Sequence, residues 1–118
     1  MSQRSEQLGA VILQHLNDFL IKDAELPRDC LVTVIDVRVD DDLETADVLL
    51  SVLPVDRTGE IVRLMRRLPG RIGRFLADRI KVRRIPRISF TIDDAALKYR
   101  SVERELQKLN LPEEKDEE

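Results

Sequence analysis

The side chains best equipped for chemistry in this sequence are arginines, and they are concentrated in one block. Residues 63–87 hold ten lysines or arginines and one acid, Asp78, although the 118-residue chain has a net charge of −3. A guanidinium group is planar and matches two phosphate oxygens with parallel hydrogen bonds. So strong a segregation of charge is typical of an interaction surface. The block therefore predicts contact with a nucleic-acid backbone.

A helix break interrupts this block. Four of its arginines, Arg63, Arg67, Arg71 and Arg74, recur at spacings of three and four residues, so in a helix they project from one side. Pro69 lacks an N–H and disfavours helix at the residue before it. A new helix that begins there presents free N–H groups and a dipole that favours an anion. We predict phosphate binding beside this break.

The only histidine and the only cysteine provide no catalytic or metal-binding constellation. His15 lies on the apolar stripe of a predicted helix, where we expect a half-buried packing role. Cys30 has no second cysteine for a disulfide or a thiolate site, and we expect a buried, small apolar residue. Because no nucleophile–base pair stands out, we expect no enzymatic activity, no cofactor and no small-molecule substrate.

An acidic cluster follows the first predicted strand and offers oxygen ligands for a cation. It lacks the glycine and the regular ligand spacing of a calcium-binding loop, so we predict a hairpin turn instead. The cluster comprises Asp40, Asp41, Asp42, Glu44 and Asp47.

Aromatic side chains that could stack on bases are scarce. The chain contains Phe19, Phe75, Phe90 and Tyr99, and the three phenylalanines occupy predicted core positions. The sequence therefore favours contact with the backbone of structured RNA over the stacking of bases on a sheet.

Hydrophobic periodicity predicts the elements that position the block. Residues 5–22 carry apolar side chains at helical spacing, and Ser2 or Ser5 can cap that helix. The runs LVTVIDVRV (31–39) and TADVLLSVL (45–53) are rich in β-branched residues and roughly alternate, so they predict strands. The short polar link between them predicts an antiparallel hairpin.

The second half of the chain predicts the helices of the basic block and a third strand. Helical spacing returns over residues 61–80, broken at the proline, and RISFTI (87–92) alternates as a strand does. Asp93 or Asp94 can cap a last helix, whose apolar stripe continues to Leu109.

This order, α–β–β–α–break–α–β plus a C-terminal helix, indicates an α+β fold with helices on one face of a three-stranded sheet. Because the link between the second and third strands contains the helices, those strands should run parallel. Residues 1–110 are expected to form this single domain, and the acidic tail 111–118 is expected to be disordered. Gly70-Arg71-Ile72-Gly73 matches the G-x-x-G of KH domains, in the element order of a type II KH fold.

The sequence has neither a predicted membrane span nor a predicted secretory signal. No apolar run is long enough to cross a bilayer, and the N-terminal residues lack the basic and apolar regions of a secretory signal. We expect a cytoplasmic monomer that does not bind membranes.

These segments together resemble the ribosome-binding factor A family over about residues 4–109. The most specific segment is RRIPRISFTIDD, in which a basic pair, Ile-Pro, an alternating strand and an acidic helix cap follow one another. The resemblance implies a type II KH-like fold in which a kink between two helices, typically A-x-G, replaces the G-x-x-G turn. That kink falls on Leu68-Pro69-Gly70, and Gly73 then lies inside the second helix. The first helix of the family is commonly more basic than this one, which offers only Arg4 and Lys22.

The resemblance also implies a non-enzymatic role in assembly of the small (30S) ribosomal subunit. Such a factor binds 16S rRNA near its 5′-terminal helix and assists late maturation and rRNA processing. A small protein-interaction module, whose arginine face binds an acidic protein partner, is the alternative. The residues that match the binding surface of the family are Gly70, Arg71, Arg74, Arg83 and Arg84. From charge alone we add Arg63, Arg66, Arg67 and Lys81.

Overall fold

The computed structural model describes residues 2–93, and their helices and strands follow the predicted order. The first half contains helix α1 (Gln3–Lys22) and strands β1 (Leu31–Val39) and β2 (Thr45–Leu53). After a short 3-10 turn, Val55–Arg57, come helices α2 (Thr58–Met65) and α3 (Pro69–Arg79) and strand β3 (Arg87–Ile92). The predicted C-terminal helix and the predicted disordered tail lie outside the described residues.

The three strands form one sheet in the order β1-β2-β3. β1 pairs with β2 in antiparallel fashion, and β2 pairs with β3 in parallel, from Thr45 opposite Arg87 to Leu50 opposite Ile92. Both pairings confirm the prediction, since a tight turn joins the first pair and two helices join the second. The bounds of all three strands also agree with the alternation of the sequence.

The helices cover one face of the sheet and bury it. Along β2, Ala46, Val48, Leu50 and Val52 alternate inward and are at most 3% exposed. Opposite them pack Ile12 and Leu16 of α1 and Ile61, Ile72 and Leu76 of α2 and α3. The opposite face of the sheet is left uncovered by the described residues, and it shows Leu31, Ile35 and Leu53. None of the helices within residues 2–93 combines the length and the apolar character needed to span a bilayer.

Of the two predicted caps of α1, Ser2 is the one that the structure shows, and a distant residue supports the first turn of the helix. Ser2 is the N-cap, and its hydroxyl oxygen accepts the Ser5 backbone N–H at 3.1 Å. The Ser2 backbone N–H in turn donates to a carboxylate oxygen of Asp41 at 2.9 Å. The turn between β1 and β2 therefore holds the start of α1.

Of the predictions for the histidine and the cysteine, the structure confirms the first and corrects the second. His15 is half-buried, as predicted. Cys30 was expected to be buried, but it is only half-buried, because it immediately precedes β1 at the edge of the core.

An amide side chain of α1 completes the hydrogen bonding of an irregular position in β1. The register between β1 and β2 shifts between Val34 and Asp36. Beside this shift, the Val34 N–H donates to the Asn17 side-chain oxygen at 2.8 Å. The Asn17 amide donates back to the Val34 carbonyl at 3.1 Å. Asn17 thus acts as a substitute strand partner in a part-buried position.

We predict that Asn17→Leu lowers the free energy of unfolding by about 2–3 kcal/mol, because both backbone groups lose their partner. Urea denaturation measures this change. The matched control is Gln14→Leu, an exposed position on the same helix, which should change stability by less than about 0.5 kcal/mol. Equal effects of the two substitutions would contradict the role assigned to Asn17.

Arg57 joins the loop before β1 to the start of α2. It contacts Asp29 at 2.6 Å and Glu60 at 2.7 Å, with a second bond to Glu60 at 3.1 Å. The hydrogen bonds from this guanidinium hold the pKa of both carboxyl groups below their usual values. Since a lowered carboxyl pKa favours the folded state only while the group is ionised, this contribution is present above pH 5 and lost on acidification.

We predict that Arg57→Met flattens the stability profile on acidification. At neutral pH the variant should be less stable than the wild type. The gap should close as the pH falls below the usual carboxyl pKa values of about 4 and through the lowered pKa values of the folded protein. Thermal melts between pH 7 and pH 3 measure this gap. Arg28→Met removes an exposed arginine that forms no ion pair within residues 2–93, so its profile should follow that of the wild type. A gap that stays constant with pH would contradict the prediction.

Candidate nucleic-acid interface

The helix break in the basic block is a tight turn between two separate helices. α2 ends at Met65, and the N–H groups of Arg67 and Leu68 bond back three residues, at 3.1 and 3.0 Å. Leu68 is buried and has φ −100° and ψ −11°, outside ideal helical geometry. Pro69 then occupies the first turn of α3, where its missing N–H costs nothing. The predicted break is therefore confirmed as a short turn that Leu68 anchors in the core.

The G-x-x-G match does not form a loop. Gly70 and Gly73 both lie inside α3, and neither has a positive φ. The literal match to the KH signature is thus coincidental, and the alternative placement of the kink at residues 68–70 is confirmed. No side chain caps the start of α3, so its first N–H groups face outward beside Gly70.

The arginines around this turn are exposed and form no ion pair with a described residue. We call this surface the α2–α3 corner. The ion pairs among residues 2–93 are made by Lys22, Arg38 and Arg57, and none of these is a predicted site residue. The corner comprises Arg63, Arg66, Arg67, Gly70, Arg71 and Arg74, all exposed.

Arg71 has a structural contact that the sequence did not predict. Its guanidinium donates to the backbone carbonyl of Asp23, the C-cap of α1, at 2.5 Å. The same group lies 5.7 Å from the centre of the Phe19 ring. Arg71 therefore ties the start of α3 to the end of α1, and only part of its donor set faces solvent.

The remaining predicted residues form a second group. Lys81, Arg83 and Arg84 are exposed in the segment between α3 and β3. They line an open cleft of about 650 Å³, to which α1 adds Arg4. The corner lies around the start of α3 and this group follows its end, and the five residues from Arg74 to Arg79 correspond to a rise of about 8 Å. The nine predicted site residues thus form two groups, one toward each end of α3.

Arg4 is the basic residue that sequence reasoning missed as a site residue. α1 and α3 run antiparallel, because the end of α1 meets Arg71 at the start of α3 while the start of α1 lies beside residues 81–84. This packing brings Arg4 to positions almost 80 residues away in sequence. The proximity of Arg4 to residues 81–84 follows from the relative orientation of α1 and α3, which no local sequence pattern encodes.

The acidic cluster serves the hairpin, as predicted. The N–H of Leu43 bonds to the Asp40 carbonyl at 2.8 Å, and the Thr45 hydroxyl donates to the Asp40 carboxylate. Asp47 accepts a hydrogen bond from the Thr91 hydroxyl of β3 at 2.8 Å. In the described part of the chain, no three His, Cys, Asp or Glu side chains are arranged to hold a metal ion.

Three helices on one face of a β1-β2-β3 sheet, with the second and third helices joined by a tight turn, define a KH-like α+β domain. The sequence matches the family model described as Ribosome-binding factor A over residues 4–106. The chain belongs to the ribosome-binding factor A family.

Curated relatives agree with this assignment. The ribosome-binding factor A of Halothermothrix orenii is 29% identical over 117 residues, which is 98% of this chain and 96% of the relative. That of Akkermansia muciniphila is 29% identical over 96 residues, covering 81% of this chain and 76% of the relative.

Solved structures of the family share the fold. The crystal structure of ribosome-binding factor A from Thermus thermophilus has a TM-score of 0.63 at 28% identity, covering 75% of this chain and 94% of its own. The solution structure from Thermotoga maritima has a TM-score of 0.63 at 29% identity, covering 77% and 88%. A homology model of the Thermus protein, fitted into a cryo-EM map of a 30S complex, has a TM-score of 0.60 at 26% identity, covering 77% and 97%.

Proposed function

We propose that this protein is a ribosome-binding factor of the small ribosomal subunit and that it binds 16S rRNA through phosphate contacts. The observation that carries the proposal is the α2–α3 corner, whose exposed arginines have no carboxylate partner among the described residues. Family membership and the related 30S complex support the choice of the small subunit as the partner.

The chemistry of the corner favours backbone contact over base stacking. Within residues 2–93 the aromatic residues are Phe19 and Phe75, which are buried, and Phe90, which is half-buried. No described ring is therefore open to a base, whereas guanidinium groups and the free N–H groups of α3 suit phosphate oxygens. The acidic remainder of the chain discourages indiscriminate binding to other polyanions.

We infer in addition that the protein acts on immature subunits. It assists late maturation and 16S rRNA processing near the 5′-terminal helix, as a cytoplasmic monomer without cofactor, catalytic step or small-molecule substrate.

Sedimentation through gradients tests this function. The protein is mixed with immature small subunits, mature small subunits or complete ribosomes, at increasing salt. We expect co-migration with free small subunits, strongest for immature ones, and absence from complete ribosomes. Retention should fall steeply with salt, with a log–log slope of about −0.7 to −0.9 per phosphate contacted. If the protein instead bound an acidic protein from nuclease-treated extract and did not bind subunits, the result would favour a protein-interaction module.

Gly70 offers a sharper test of the helix start. An added methyl group there would meet only the Arg74 guanidinium, at 3.7 Å, so Gly70→Ala should fold normally. We predict a roughly tenfold loss of affinity for small subunits, because the methyl group keeps phosphates away from the first N–H groups of α3. Gly73→Ala, in the same helix with open space around it, should bind like the wild type. Unchanged affinity of Gly70→Ala would exclude the helix start from the contact.

A further inference from the structure

Three chain segments that are distant in sequence enclose the open cleft of about 650 Å³. They are the start of α1, the turn between β1 and β2, and residues 81–84. This volume lies within the range of small-ligand sites in proteins, roughly 300–1,000 Å³. The cleft therefore has room for a ligand of the size of one nucleotide.

The cleft contains both signs of charge, segregated by segment. Four cations come from α1 and from residues 81–84, whereas two carboxylates come from the turn, so the lining has a net charge of +2. None of the six forms an ion pair with a described residue. All six are exposed: Arg4, Lys81, Arg83, Arg84, Asp42 and Glu44.

Hydrogen bonds fix the relative positions of the segments around the cleft without a ligand. Asp41 of the turn accepts the Ser2 N–H of α1 at 2.9 Å, and the Glu44 carbonyl accepts the Arg87 N–H of β3 at 2.8 Å. Within the turn, Asp42 accepts the Glu44 N–H at 3.0 Å. A ligand would thus enter a site whose backbone is already ordered, which lowers the entropic cost of binding.

The lining also has an apolar part. Leu8 is buried, Leu43 is half-buried and Val82 is 39% exposed. These side chains offer a surface on which a planar base can pack without exposed aromatic rings. The cleft therefore combines the three features that a nucleotide requires, namely cations, apolar surface and acceptors.

We propose that this cleft binds one unpaired RNA nucleotide whose base carries an exocyclic amino group. The cations bind its phosphate, the apolar side chains contact the base, and Asp42 and Glu44 accept hydrogen bonds from the amino group. The inference rests on the proposed RNA-binding function and adds to it. The α2–α3 corner contacts phosphates without reading sequence, whereas this cleft distinguishes bases.

A peptide suits the same cleft less well. An acidic peptide would meet two unpaired carboxylates, and a basic peptide would meet a net charge of +2. A nucleotide presents an anion at one end and amino donors at the other, so it complements both groups of charges.

The test is a titration of the ¹⁵N-labelled full chain with CMP, UMP and inorganic phosphate, followed by amide chemical shifts. We expect CMP to produce saturable shifts confined to Arg4, residues 42–44 and residues 81–84. UMP has a carbonyl in place of the amino group and keeps a single N–H donor, at N3, so it should bind roughly tenfold more weakly. Inorganic phosphate should also bind more weakly than CMP, because it contacts only the cations.

Two variants make the assignment specific. Glu44→Gln removes a carboxylate that accepts no hydrogen bond from a described side chain or backbone group, and it should reduce the preference for CMP over UMP. Arg66→Gln, at the α2–α3 corner, should leave the CMP titration unchanged. Absence of saturable shifts, equal affinities for CMP and UMP, or phosphate binding as tight as that of CMP would each overturn the nucleotide cleft. None of these outcomes involves ribosomal subunits, so the gradients decide the proposed function separately.

Discussion

Reversal of Arg66, Arg67 and Arg74 to glutamate is expected to abolish co-sedimentation with small subunits while the fold remains intact. All three side chains are exposed and form no ion pair within the described residues. Under the proposed function, each reversal would remove a phosphate contact and place a carboxylate against the RNA backbone, so we expect affinity to fall more than about a hundredfold. Circular dichroism and thermal melts should match those of the wild type, because no buried group changes. Arg71 is left intact, since its bond to Asp23 gives it a structural role.

The matched control changes net charge by the same amount elsewhere. Lys22, Arg28 and Arg38 are exposed and lie at the end of α1, in the loop after it and in β1. Lys22 and Arg38 form exposed ion pairs with Asp18 and Asp36, so thermal melts of this variant are also compared with the wild type. Reversal of the three residues should weaken binding mainly through the long-range field, which salt at 0.15 M screens beyond about 8 Å. Equal losses in the two triple variants would show that total charge, rather than the α2–α3 corner, governs binding.

The salt dependence of any binding that the triple variant retains reports how many phosphate contacts it has lost. A variant that has lost three phosphate contacts should show a log–log slope about 2 to 3 units shallower than that of the wild type. A loss of affinity with an unchanged slope would indicate that the fold, rather than the contact, had been damaged.

Local patterns were sufficient to predict the elements and the break between α2 and α3. The strands follow from alternation of β-branched residues, because residues 2–93 bury one face of the sheet and leave the other uncovered. The break follows from Pro69, whose ring and missing N–H disfavour helix whatever the surroundings. Physical causes of this kind act within a few residues, so the sequence carries them directly.

Features that depend on packing between distant elements were not predictable in the same way. The hydrogen bond from Ser2 to Asp41 joins α1 to the hairpin, and the role of Asn17 depends on an irregularity in β1. The antiparallel packing of α1 on α3 joins Arg71 to Asp23 and places Arg4 beside residues 81–84. Neither feature of the candidate site could be predicted from local sequence. The sequence identified the cations but not their division into a corner and a cleft.

α1 approaches β1 closely at Gly9, where an added side chain should have a large effect on stability. A Cβ atom at this position of α1 would lie 2.7 Å from the Val37 backbone oxygen of β1 and 3.7 Å from a methyl group of Val39. Neither a strand carbonyl nor α1 can move by several tenths of an ångström without disturbing the core between them. We therefore expect Gly9→Ala to lower the free energy of unfolding by about 2–3 kcal/mol, despite the higher helix propensity of alanine.

Gly73→Ala provides the control of opposite sign, because no atom lies within 4 Å of the added methyl group. Alanine in a helix interior should raise stability by about 0.5–1 kcal/mol, since it has less chain entropy to lose on folding than glycine. Urea denaturation of both variants measures the difference, which should reach about 3 kcal/mol in total. Destabilisation by Gly73→Ala would mean that residues 70–73 need glycine for a loop of the G-x-x-G type, and α3 would then not begin at Pro69. Stabilisation by Gly9→Ala would mean that α1 lies farther from β1 than the structure places it.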